Sequence, residues 1–67
     1  MKTTGQRISG KFSNLVFVGQ IVRIDGDLIS VQVDNPHRNL PCGPTMVKGE
    51  WVKALTFHVN DKNVILN

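Results

Sequence analysis

Residues 15–34, LVFVGQIVRIDGDLISVQVD, decide the fold. Residues 15–24 are dense in β-branched side chains and apolar on both faces, which predicts a strand rather than an amphipathic helix. An Asp25-Gly26 pair between two apolar runs predicts a two-residue type I′ turn, because Gly and Asp tolerate the positive φ angles of that turn. A second strand is therefore expected over residues 28–34.

The turn sets a register between these two strands. With Asp25 and Gly26 in the loop, Val22 opposes Ile29. One face of the hairpin then collects aliphatic residues and is predicted to be the core side: Val16, Val18, Val22, Ile24, Ile29, Val31 and Val33. The other face of the first strand carries Leu15, Phe17, Gly19, Ile21 and Arg23.

The remaining segments also lack a helical pattern. Residues 35–44 contain all three prolines and predict a long, stiff loop, because proline has no backbone donor and restrains the residue before it. A short strand is expected over residues 45–48, and an alternating one over residues 50–59. A polar turn at residues 60–63 separates this strand from a last one at residues 64–66.

Five short strands predict an all-β domain. Closing the sheet into a barrel removes exposed edges, and a first strand bent at Gly19 suits closure. We therefore expect residues 15–67 to form a single small five-stranded barrel, SH3-like or a reduced OB-fold. The helix of a full OB-fold has no counterpart here, which favours the SH3-like or reduced form.

Residues 1–14 are mostly polar and are predicted to be a flexible basic arm. Ile8 and Phe12 are the only internal apolar anchors, which is too little to offset the entropy of ordering the segment. The net charge of +3 has its positive excess in the first third of the chain, where there is no acidic residue and the cations are Lys2, Arg7, Lys11 and Arg23.

The composition excludes several protein classes. A single cysteine allows no intrachain disulfide, and one Cys with two His does not make a four-ligand zinc site. No stretch approaches the roughly 20 apolar residues of a membrane span. We expect a cytoplasmic protein without a membrane partner.

Candidate catalytic groups are sparse. His37 and Cys42 could act as base and nucleophile, and His58 could join them at a metal, but sequence alone does not place the three side chains together. A thiol packed in the loop and solvated histidines are the simpler interpretation. Asp25 and Asp27 flank a turn, where aspartate is favoured for local hydrogen bonding. The glycines follow no phosphate-binding motif. We therefore expect a protein that is not an enzyme and uses no cofactor or metal.

Binding of single-stranded DNA or RNA with little sequence preference is the predicted function. Lys and Arg neutralise phosphates, and bases stack on exposed aromatic rings. Core packing is the alternative for Phe17 and for Trp51. The predicted contacts are the cations Arg7, Lys11, Arg23 and Lys53, together with the aromatic residues Phe17 and Trp51.

A protein-interaction role is the alternative function. Leu15, Phe17, Ile21 and Leu28 would form an apolar hairpin face that signals a protein partner or a second copy of the chain. The proline-rich loop is a second recognition element, because prolines reduce the entropy lost on docking. An adaptor or small regulatory subunit, also as a homodimer, fits this alternative.

Overall fold

The chain forms six antiparallel strands and no helix across the residues described. The computed structural model describes residues 2–67. The strands are β1 (Arg7–Phe12), β2 (Leu15–Asp25), β3 (Leu28–Val33), β4 (Cys42–Val47), β5 (Glu50–His58) and β6 (Val64–Leu66). The all-β prediction is confirmed for this range.

All six strands belong to one open sheet. Their order is β4-β5-β3-β2-β1-β6, so β4 and β6 lie at the edges. Within residues 2–67 each edge strand pairs with one neighbour. The sheet is not closed, and the expected barrel is not confirmed.

Strand β1 lies inside the segment expected to be a flexible arm, so that prediction is wrong for residues 7–12. β1 pairs with both β2 and β6. Its polar and apolar residues alternate, and Ile8 and Phe12 pack against the core while the charged side chains stay in water. Ser13 and Asn14 have φ angles of 48° and 69° and connect β1 to β2 in a two-residue turn. Met1, also assigned to the arm, lies outside the described residues.

The turn of the β2–β3 hairpin lies one residue later than predicted. Gly26 and Asp27 form the loop, and Asp25 pairs with Leu28. Gly26 has a φ of 63°, and a positive φ at the first loop residue alone is the pattern of a type II′ turn. Moving the loop by one residue changes each cross-strand partner by two residues, so Ile24, now paired with Ile29, still shares a face with it as predicted.

Before Arg23 the faces of β2 are the reverse of the predicted ones, because the extra residue of a β-bulge changes the alternation: Phe17 and Ile21 lie in the core, and Val16 and Val18 lie outside. The pairing of β2 with β3 is irregular between Ile21 and Arg23, where a β-bulge interrupts the ladder. After the bulge, Ile24 pairs with Ile29. Ile24 therefore lies on the face of β2 that odd-numbered residues such as Ile21 occupy before the bulge. The core assignment of β3 is confirmed for Ile29, Val31 and Val33.

One hydrophobic cluster holds the sheet together. The rings of Phe17 and Phe57 are 5.8 Å apart between centroids and tilted by 53°, a favourable aromatic arrangement. Leu40, from the loop before β4, is buried with them and anchors that loop. The cluster comprises Phe17, Ile21, Ile29, Val31, Val33, Leu40, Leu55 and Phe57.

Strand β4 starts at Cys42, inside the predicted proline loop. Val47 pairs with Glu50 across a turn at Lys48 and Gly49, whose φ angles are 51° and 81°. In a hairpin with a two-residue turn, the N–H and C=O groups of Val47 form hydrogen bonds with β5. Along β4 such residues alternate with residues whose N–H and C=O positions point away from β5, and Pro44 is one of these. Pro44 is tolerated because β4 is an edge strand and proline there loses no ladder bond.

Candidate nucleic-acid interface

The six predicted contact residues do not form one surface. Phe17 is 2% exposed and packs against Phe57, so its ring offers no stacking face. Its assignment to an exposed hairpin face is corrected: the β-bulge between Ile21 and Arg23 reverses the faces of the preceding part of β2 and turns this side chain inward. The apolar hairpin face proposed for protein binding is lost for the same reason, because Ile21 is also buried.

Arg23 is held against the edge of the sheet. Its Nη1 donates a hydrogen bond to the Met46 carbonyl oxygen at 3.3 Å, and its Nη2 lies 3.8 Å from Asp25 Oδ2. The side chain thus links the end of β2 to β4, from which it is separated in the sheet by β3 and β5. The guanidinium group of Arg23, which was predicted to contact a phosphate, is therefore already held by partners within the protein.

Arg7 and Lys11 lie on β1 with exposed side chains. Arg7 forms an ion pair with Asp34, so part of its charge is already neutralised. Lys11 pairs with Val16 of β2 and with Ile65 of β6. Both cations are therefore on strands at the opposite end of the sheet from β4 and β5.

Trp51 and Lys53 lie on the β4–β5 hairpin (residues 42–58). The ladder between β3 and β5 ends where Val31 pairs with Leu55, so residues 50–54 pair with β4 alone. This outer half of the hairpin has no β3 residue paired beside it. Trp51 is 70% exposed as a consequence.

The side chains of Trp51 and Lys53 share one face of the hairpin, because they are two residues apart on a strand. Met46 pairs with Trp51 and Pro44 pairs with Lys53. Both are non-hydrogen-bonded pairs, in which opposing side chains come closest. An open groove of about 240 Å³ runs along this face and is lined by Cys42, Gly43, Pro44, Trp51, Val52 and Lys53.

Charge in the groove has one sign. Among the residues that the structure describes, Lys53 is the only Lys, Arg, Asp or Glu that lines it. Lys48 adds a second exposed cation in the turn at the end of the hairpin. An aromatic ring and an ammonium group therefore lie together without a carboxylate between them.

The histidines and the cysteine form no metal cluster. Within residues 2–67 no group of three or more His, Cys, Asp or Glu side chains is arranged to hold a metal ion. His37 Nδ1 accepts a hydrogen bond from the Asn39 amide at 3.1 Å, and Cys42 is a half-buried free thiol.

Sequence reasoning missed the exposed aliphatic residues on the side of β1, β2 and β6 opposite the core. Val16, Val18 and Ile65 are 66%, 43% and 59% exposed. The alternation of residues 7–12, which ends at Ser13-Asn14, was the signal that could have found β1 and with it this surface.

The comparisons with known proteins identify no relative. The chain matches no family model, no curated protein and no solved structure. Within the described range, no helix is long and apolar enough to cross a membrane. Function is therefore inferred from the chemistry of the exposed surface.

Proposed function

We propose that this protein binds single-stranded DNA or RNA, with little sequence preference, through the outer half of the β4–β5 hairpin. The observation that carries the proposal is the exposed ring of Trp51 beside Lys53 on one face. A base stacked on an aromatic ring contributes roughly 1–3 kcal/mol to binding. A tryptophan this exposed contributes little to its own core, which favours a ligand as the reason for it.

The spacing suits one nucleotide. Residues two apart on a strand are separated by about 7 Å, and the lysine stem is flexible. A base on Trp51 therefore leaves its phosphate within reach of the Lys53 ammonium. The backbone N–H groups of both residues point away from β4, toward the side where β3 has ended, and phosphate oxygens accept such donors.

The composition of the groove supports sequence tolerance. Its lining offers Lys53 and otherwise apolar or weakly polar side chains. Reading base edges requires paired donors and acceptors such as Asn, Gln or Arg, which this lining does not supply. Stacking accepts every base but needs a free base face, so single strands are favoured over duplexes.

Fluorescence anisotropy with labelled oligo(dT) and oligo(U) of about 15 nucleotides tests the proposal at about 50 and about 200 mM salt. Binding should weaken as salt rises. Trp51→Leu should raise Kd by roughly 5-fold to 100-fold, the range that one stacked base supplies. Absence of binding at the lower salt would refute the proposal.

Two lysine variants locate the site. Lys53→Gln should weaken binding and lower the salt dependence by about one phosphate contact. Lys62→Gln removes the same charge from the exposed turn before β6 and should leave binding nearly unchanged. Equal losses in the two variants would mean that net charge, and not the hairpin, sets the affinity.

The tryptophan provides a direct reporter. The chain has one Trp and no Tyr, so its intrinsic fluorescence comes from Trp51. Stacking of a base should quench this signal in proportion to the bound fraction. Binding without any change in emission would contradict a stacking contact.

Protein binding through the same hairpin is the second candidate function. Trp51 faces Met46, which is also exposed, and both residue types are enriched in protein interfaces. A protein complex that survives nuclease treatment and is lost in Trp51→Leu, with no oligonucleotide binding, would favour this candidate.

The small barrel stays a prediction within this proposal. Two features support it: Arg23 reaches Met46 of β4, and a cavity of about 200 Å³ lies between the bulged part of β2 and the turn at Lys48. Both bring opposite sides of the sheet toward each other. SH3-like and reduced OB barrels are curled sheets of this kind.

A further inference from the structure

The outer face, defined here as the side of β1 and β2 opposite the core with the adjoining residue Ile65 of β6, has a regular arrangement. One row across the strands consists of Ile65, Lys11 and Val16. The next row contains Ser9 and Val18, and Asp34 continues it through a hydrogen bond from its amide to the Val18 carbonyl oxygen at 2.9 Å.

This face is apolar at its centre. Val16 and Val18 are successive residues on this face of β2, and Ile65 lies in the same row as Val16. The stem of Lys11 lies between Val16 and Ile65 and can extend the apolar area while its ammonium stays in water. Three exposed aliphatic residues around one such stem form a patch rather than isolated surface positions.

The charges lie at opposite corners of the valine pair. Lys11 is beside Val16 on the β1 side, and Asp34 is beside Val18 on the β3 side. Arg7 binds Oδ2 of Asp34. The ion pair is partly exposed, and Oδ1 is available for a second cation.

We propose that the outer face is the contact between two copies of this chain. A two-fold axis in the plane of the contact, perpendicular to the line from Lys11 to Asp34, stacks the two valine pairs crosswise and brings Lys11 of each copy to Asp34 of the other. The contact is then self-complementary, as an isologous dimer requires, with apolar residues at its centre and ion pairs at two corners. A second copy is the occupant whose charges match both corners of the face.

Association with a second copy would also add stability to a chain of this size. A single core of this size provides only a few kcal/mol of stability. Burial of the exposed valines in a dimer stabilises the folded state further, and more so at higher protein concentration. Trp51 lies outside this face, so oligonucleotide binding and dimer formation can be measured separately.

Sedimentation equilibrium between about 1 and about 200 µM tests the proposal on the full chain. The mass should rise with concentration to twice 7.4 kDa. Val16→Thr with Val18→Thr should raise the dissociation constant about tenfold or more while the β-sheet circular dichroism is kept. Met46→Gln changes another exposed apolar residue and should leave the dissociation constant unchanged.

A charge exchange gives the decisive arm. Lys11→Glu and Asp34→Lys should each weaken the dimer, and the double variant should recover most of the lost affinity because each new pair is again opposite in sign. A monomer across the whole concentration range overturns the proposal. A dimer that the valine and charge variants leave intact overturns it as well.

Discussion

The β2–β3 hairpin and the β4–β5 hairpin are both closed by two-residue turns, yet they place their aromatic residues in opposite environments. Phe17 of β2 is buried, whereas Trp51 of β5 is largely exposed. At Phe17, β2 has β1 on one side and packs on Phe57. At Trp51, β5 is paired with β4 alone.

The difference teaches that residue type does not decide exposure in a sheet this small. An aromatic ring is buried where another element lies over its strand. The outer half of the β4–β5 hairpin extends past β3, and Trp51 lies there on the face that is left uncovered, whereas Ala54 on the other face is buried. Under the proposed function, structural and ligand-binding roles are divided between two hairpins of similar construction.

The largest expected contrast is between Phe17→Ala and Trp51→Ala. Phe17→Ala should lower the free energy of unfolding by about 3–5 kcal/mol, because it leaves a cavity against Phe57. Trp51→Ala should cost at most about 1 kcal/mol, the value of a cross-strand contact with Met46. Urea unfolding followed by circular dichroism measures both. Similar losses in the two variants would remove the distinction between the hairpins.

A smaller contrast is expected between two glycines. A methyl group at Gly19 of β2 would overlap the Gln32 carbonyl oxygen and lie 2.8 Å from Val31 Cγ1, so Gly19→Ala should cost about 1–3 kcal/mol. A methyl group at Gly43 of β4 meets nothing within 4 Å. Gly43→Ala should leave stability unchanged or raise it by up to about 1 kcal/mol. Thermal unfolding separates these results, and a Gly43→Ala variant as unstable as Gly19→Ala would contradict them.

The smallest contrast concerns the turns. Lys48 has a φ of 51°, a strained angle for lysine that asparagine accepts more readily. Lys48→Asn should therefore raise the free energy of unfolding by roughly 0.5–1 kcal/mol. Asp27→Asn, in the type II′ turn, should change it by less than about 0.5 kcal/mol. If Lys48→Asn and Asp27→Asn raised the denaturant midpoint equally, the two turns would not differ in type.

The sequence was sufficient for the strands with strong alternation or dense β-branching. β2, β3, β5 and β6 were all expected, and β6 has the predicted bounds. The register was not predictable, because Asp25-Gly26 and Gly26-Asp27 are both acceptable loops and differ by one residue. The bulge near Val22, which sets the faces of β2, is also invisible in a segment whose two faces are both largely apolar.

The candidate site was predictable only in part. Trp51 and Lys53 were named from residue type, and their common face follows from strand spacing. The exposure of Trp51 depends on where β3 stops, which is a tertiary property. Arg23 could not be assigned from sequence, because its partner, Met46, is 23 residues away along the chain.

The edge of β4 has a consequence for how the chain can polymerise. Pro44 offers no donor there, the Met46 carbonyl oxygen is bonded to Arg23, and the Cys42 amide is bonded to Leu40. A strand from another molecule would therefore meet an interrupted row of backbone donors and acceptors along the free edge of β4. Growth into fibres by addition of strands is therefore disfavoured at β4.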